Sequence, residues 1–141
     1  AGVPCSVVSG ITAGLAAAQS LGCSLTHRDV ARGVLFVTGH AKAEGASPNW
    51  EDLGRTAHSN HITLVIYMGV SQAANIQSGL LIHMPADTPV ALVQNASCAQ
   101  ERRTLTELSS LCDCLASEGL SSPLVMVIGE VIDAAIAGCL P

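Results

Sequence analysis

The chain has 141 residues, of which 49% are hydrophobic and only 12% charged, so it has the length and apolar content for one domain with a buried core. Its net charge is -5, with six Lys plus Arg and three aromatic residues (Phe36, Trp50 and Tyr67). That balance excludes a basic, aromatic-rich nucleic-acid module, and no apolar run is long enough for a membrane-spanning helix.

The amino-terminal stretch Val3–Val8 is β-branched and predicts a strand, with Gly10 permitting a turn after it. Thr12–Leu21 is Ala-rich, opens on a capping residue and stops at Gly22, which predicts a helix with a face of small residues. Val34–Thr38 predicts a second strand, ended by Gly39. Ala41–Asn49 is polar with Gly and Pro and predicts a loop. Asn49 can cap a helix from Trp50 to about His58, whose first turn carries Glu51 and Asp52 next to its positive end.

Ile62–Met68 is the clearest buried strand, ended by Gly69, and Ser71 can cap a helix reaching Ile82. After the turn Asp87-Thr88-Pro89 comes a strand, Pro89–Gln94, with proline at its first residue, where a missing N–H is tolerated. A short strand near Arg102–Leu105, a helix to about Glu118 ended by Gly119, and a last strand Leu124–Gly129 complete the pattern. The longest apolar stretch, Leu124–Leu140, is interrupted by Glu130 and Asp133. Strands alternating with helical segments predict an α/β domain.

The six cysteines (Cys5, Cys23, Cys98, Cys112, Cys114 and Cys139) have irregular spacing and no C-x-x-C pair. They read as reduced structural thiols, with zinc binding or a disulfide framework as the alternatives. No His, Cys and carboxylate set has metal-ligand spacing, so no metal is expected. Dinucleotide, P-loop and serine-hydrolase motifs are absent. Strands instead end in Gly or Ala beside a polar group, as in Val37-Thr38-Gly39-His40, Tyr67-Met68-Gly69 and Gln94-Asn95-Ala96-Ser97. Such strand ends are where open α/β sheets gather ligands, because small residues let backbone amides approach. Ordinary strand-to-helix turns are the plain alternative.

Seven segments occur in order: Val7-Val8-Ser9-Gly10-Ile11-Thr12-Ala13, Leu25-Thr26-His27-Arg28, Phe36-Val37-Thr38-Gly39-His40, Tyr67-Met68-Gly69, Asp87-Thr88-Pro89-Val90-Ala91, Gln94-Asn95-Ala96 and Val127-Ile128-Gly129-Glu130-Val131. Together they resemble the carboxyl-terminal half of the uroporphyrinogen-III C-methyltransferases, in the tetrapyrrole methylase family. The resemblance implies a mixed, mostly parallel five-stranded sheet with flanking helices, spanning residues 1–141 as a second domain. It implies S-adenosylmethionine-dependent methylation of uroporphyrinogen III at C2 and C7 to precorrin-2, by a cytoplasmic homodimer that uses no metal. Another precorrin methyltransferase, or a non-catalytic dimerisation domain, is the alternative.

By the same resemblance Thr12 and Ala13 contact S-adenosylmethionine at a helix start, where free N–H groups face the ligand. Met68 lines that pocket, Ala96 faces the nucleoside and the backbone near Val125 borders the adenine. The plain alternatives are a helix cap at Thr12 and a core filler at Met68. Arg28 matches the Arg of the Thr-His-Arg motif and would anchor a substrate carboxylate. It stays protonated and is ill-suited to proton abstraction. His27 and His40 are weaker candidates for a propionate.

Four positions depart from the family pattern. Ser9 and Ser24 stand where Pro is usual, Gln94 replaces a Glu and so removes a negative charge near the cleft, and Cys98 replaces a polar or basic residue. The family's amino-terminal domain, which completes the cosubstrate site with a Gly-Gly-Asp motif, has no counterpart in these residues. The isolated chain is therefore expected to bind cosubstrate poorly and not to turn over. With a net charge of -5, recognition of a carboxylate-rich substrate must be local, through Arg28 and the absent domain.

Overall fold

The computed structural model of the chain describes residues 2–40 and 47–136. Its elements in chain order are α1 (Ala13–Leu21), β1 (Gly33–Thr38), α2 (Trp50–Asn60), β2 (Ile62–Tyr67), α3 (Ala73–Leu80), β3 (Pro89–Gln94), β4 (Arg102–Glu107), α4 (Leu111–Ser117), β5 (Leu124–Ile128) and α5 (Val131–Ile136). Single 3-10 turns, Val70–Gln72 and Leu108–Ser110, precede α3 and α4.

The strands form one sheet in the order β1-β2-β5-β3-β4. Continuous apolar sequence puts β3 and β5 in its middle, where every residue is buried. The polar strand β4, Arg-Arg-Thr-Leu-Thr-Glu, takes an edge, where alternate residues reach water. Alternation across the strands divides the core in two. Leu64, Ile66, Leu92 and Met126 face α2, α3 and α4. Val65, Ala91, Val93 and Val127 face the small residues Ala17 and Ala18 of α1, together with Val131 and Ile132 of α5.

The expected mostly parallel sheet is corrected. Only β1 and β2 pair in parallel, while β2–β5, β3–β5 and β3–β4 are antiparallel. An apolar run reads the same in either direction, so the entry of β5 between β2 and β3 is set by the connection through α4. Val3–Val8 is also corrected: it forms no strand, and Val3, Val7 and Val8 stand 70%, 99% and 87% exposed. β-branched residues favour extended backbone, but a strand also needs a neighbour to pair with.

Two helix starts differ from expectation. Ser71 makes no capping bond, because a 3-10 turn delays α3 to Ala73, and that helix stops at Leu80. Thr12 occupies the N-cap position of α1 without a capping bond from its side chain. Asn49 behaves as read: its side chain accepts from the Asp52 N–H at 3.2 Å. α5 was not anticipated, because Glu130 and Asp133 broke the apolar pattern. Most of the expected loop Ala41–Asn49 lies outside the described residues. Five cysteines are free thiols, and Cys139 lies outside the described residues.

Candidate functional site

β1, β2 and β3 all run toward one edge of the sheet, and β5 starts there between β2 and β3. The glycines ending β1 and β2 meet at this edge. A Cβ on Gly39 would lie 2.7 Å from Gly69 Cα, so glycine at 39 allows this approach, whereas a Cβ on Gly69 would instead crowd Ile76 and Met126 at 3.0–3.1 Å. The chain turns sharply after β2 and β3, with Met68 and Asn95 both at φ 53°. Left-handed backbone is uncommon for non-glycine residues and strained for a side chain like methionine. Here it turns Met68 outward, 58% exposed.

An open cavity of about 490 Å³ lies at this edge. Ala13 at the start of α1 forms one wall, and Tyr67 and Met68 form a second. Asn95, Ala96 and Cys98 after β3 form a third, and Ser122–Val125 closes the last. Of the six candidate site residues, Ala13, Met68, Ala96 and Val125 line this one cavity. They come from four separate segments of the chain.

Thr12 joins the site through Tyr67, which the sequence reading did not single out. The Tyr67 hydroxyl lies 2.5 Å from Thr12 Oγ1 and accepts the Gly14 N–H at 3.1 Å. Gly14 permits this contact, since a Cβ there would stand 2.5 Å from the Tyr67 oxygen. Phe36 stacks on the Tyr67 ring with centroids 6.1 Å apart. The Leu15 and Ala16 N–H groups donate to the Thr12 carbonyl. The helix start expected to offer several N–H groups thus has those of Gly14, Leu15 and Ala16 already engaged. The Tyr-Met-Gly motif was the only available signal for Tyr67.

Arg28 is not brought to this cavity. It sits exposed in the tight turn bridged by His27 and Ala31, between α1 and β1. His27 Nδ1 accepts the Asp29 N–H at 3.3 Å, and His40 is exposed just beyond β1. Gln94, next to the lining residue Asn95, is 9% exposed, and its amide bonds Ser121 beside the cavity. Among the described residues no carboxylate, Lys, Arg or His lines the cavity. Its walls are mostly apolar, and its lining residues with polar side chains are Tyr67, Asn95, Cys98 and Ser122. An open, mostly apolar cavity with a few polar groups suits a partly apolar small molecule. Among the described residues no group of three or more His, Cys, Asp or Glu is placed to hold a metal ion.

Residues 1–112 match the family of Tetrapyrrole (Corrin/Porphyrin) Methylases. The chain belongs to this family. A Siroheme synthase 2 of Yersinia pestis bv. Antiqua (strain Nepal516) is 46% identical over 132 residues, covering 93% of this chain and 27% of the relative. A Uroporphyrinogen-III C-methyltransferase of Pseudomonas aeruginosa is 42% identical over 131 residues, covering 92% of this chain and 51% of the relative. This tetrapyrrole methylase chain therefore spans about half or less of the curated relatives it matches. The structure of a uroporphyrin-III C-methyltransferase from Thermus thermophilus complexed with S-adenyl homocysteine superposes with a TM-score of 0.72 at 32% identity. It covers 94% of this chain and 56% of that one. A cobalt precorrin-4 methyltransferase shares the fold, with a TM-score of 0.81 at 20% identity over 91% of this chain and 53% of that one.

Proposed function

We propose that this chain is the carboxyl-terminal domain of an S-adenosylmethionine-dependent C-methyltransferase. Its substrate is uroporphyrinogen III, methylated at C2 and C7 to give precorrin-2. The observation that carries this reading is the convergence of Ala13, Met68, Ala96 and Val125 on one uncharged cavity. The cavity's chemistry fits the cosubstrate: apolar walls at Val125 and Leu124 suit an adenine ring, and the Asn95–Ala96 turn offers backbone to a ribose. The ligand in the Thermus thermophilus relative is the demethylated form of the same molecule.

In this reading the cosubstrate supplies the methyl group, and the residues of this domain bind and orient it. Met68 covers the ligand, while Thr12 and Ala13 hold its amino-acid end. Arg28 acts elsewhere: its planar, permanently charged group anchors a tetrapyrrole carboxylate at the domain rim. The exposed apolar residues Val3, Val7, Val8 and Ile11 support a companion surface, provided by an amino-terminal domain and a second subunit.

The test is a chimera in which this chain replaces the matching half of the Pseudomonas aeruginosa relative. Supplied with S-adenosylmethionine and uroporphyrinogen III, it is expected to form precorrin-2, while the 141-residue chain alone forms none. A folded chimera that binds S-adenosylhomocysteine but methylates only a later precorrin would favour the alternative substrate. One that binds neither ligand would leave a dimerisation domain.

A further inference from the structure

Gln94 ends β3 and is one of three buried polar residues among the described residues, with a relative exposure of 9%. Its Nε2 donates to the Ser121 carbonyl at 2.8 Å and contacts Ser121 Oγ at 3.1 Å. The next residue along β3 repeats the tie, since the Asn95 N–H donates to the Pro123 carbonyl at 3.1 Å. Ser121 immediately precedes the Ser122–Val125 wall of the cavity, and regular pairing between β3 and β5 begins only at Gln94 and Leu124. Leu124 and Val125 are thus fixed by the ladder, while Ser122 and Pro123 are irregular backbone held against the end of β3 by the Gln94 side chain and a single backbone bond.

We propose that Gln94 is a positioning residue for the cosubstrate cavity, fixing the Ser122–Val125 wall by donating to the Ser121 carbonyl. The inference rests on the reading of that cavity as the S-adenosylmethionine site. The residue type follows from hydrogen-bond inventory. The Ser121 carbonyl needs a donor, which an amide supplies and an ionised carboxylate of the same shape does not. Ser121 is exposed, so without that donor its carbonyl turns to water and the irregular start of the wall loses its side-chain tie to β3. Gln94 itself does not line the cavity, so its effect on a ligand passes through the wall.

The experiment is a titration of S-adenosylhomocysteine into the isotopically labelled chimera, in which the site is complete, following the Met68 and Val125 amide resonances well below the melting temperature. Gln94→Leu is expected to stay folded and to weaken binding about tenfold, the scale of one lost hydrogen bond. Amide exchange over residues 121–125 is expected to accelerate as well. Should Gln94→Leu fail to fold, Gln94→Met carries the same test, because it keeps the length of the side chain and withdraws the donor. A variant that melts earlier yet binds as tightly as the parent chimera overturns the inference and leaves Gln94 as a structural bond alone. A parent chimera whose resonances do not move at millimolar ligand removes the reading of the cavity itself, a separate and recognisable failure.

Discussion

The Tyr67 hydroxyl caps a helix that begins more than fifty residues earlier, accepting the Gly14 N–H at 3.1 Å while lying 2.5 Å from Thr12 Oγ1. A capping oxygen normally comes from the N-cap side chain, here Thr12. Supplying it from β2 frees Thr12 from local capping and ties the first turn of α1 to the cavity wall. Tyr67→Phe keeps the stacked ring on Phe36 and removes the cap. It is expected to cost about 1 kcal/mol of stability. That corresponds to a fall of roughly 3–5 °C in melting temperature, read by circular dichroism. Binding of S-adenosylhomocysteine should weaken with it.

Gly14→Ala tests the close approach behind that cap. Alanine raises helix propensity by about 1 kcal/mol. Yet its Cβ would meet the Tyr67 oxygen at 2.5 Å, Val65 Cγ1 at 2.7 Å and Phe36 Cε1 at 2.8 Å. Crowding of that kind costs about 1–3 kcal/mol. Urea denaturation is expected to show a net loss of stability, against the usual sign for this exchange in a helix.

Arg28 and the cavity are expected to separate functionally. Arg28→Ala, exposed and outside the cavity lining, should leave S-adenosylhomocysteine affinity unchanged in the chimera. Loss of a charge-assisted contact to a tetrapyrrole carboxylate should lower precorrin-2 formation about 10- to 100-fold. Equal loss of both measurements would place Arg28 in cosubstrate binding instead.

Two thiols report on site and core respectively. Cys98 lines the cavity and Cys5 is exposed on the amino-terminal stretch. S-adenosylhomocysteine is expected to slow alkylation of Cys98 and not of Cys5, as read by peptide mass mapping. Cys23 is buried between the α1 face and the sheet, and burial pushes its thiol above the ordinary value. The folded state thus prefers the neutral thiol. Its contribution is complete below the ordinary thiol range and is lost as pH rises through the raised value. Stability is expected to decline in alkaline solution, and Cys23→Ala should flatten that decline above the ordinary thiol range.

Local chemistry was legible where one residue decides the outcome. Asn49 set the start of α2, Pro89 the start of β3, and glycines at 22 and 119 the ends of α1 and the turn after α4. Met68 was read into β2, but its left-handed backbone stops the strand at Tyr67. Strand direction was not legible, since β5 carries five buried apolar residues that would pack equally well reversed. The family resemblance named residues that share a cavity, because ordered motifs encode positions that local periodicity does not. It did not reveal Tyr67 or Gln94 as partners of Thr12 and Ser121, for those bonds join residues 55 and 27 positions apart.

The placement of β5 between β2 and β3 also orders events in time. Three walls of the cavity are present once the chain has been made through Cys98, but they stand apart until β5 enters the gap between β2 and β3. During synthesis the sheet's central strand and the last wall of the site therefore arrive together. Closing the sheet and completing the lining of the cavity are therefore one event.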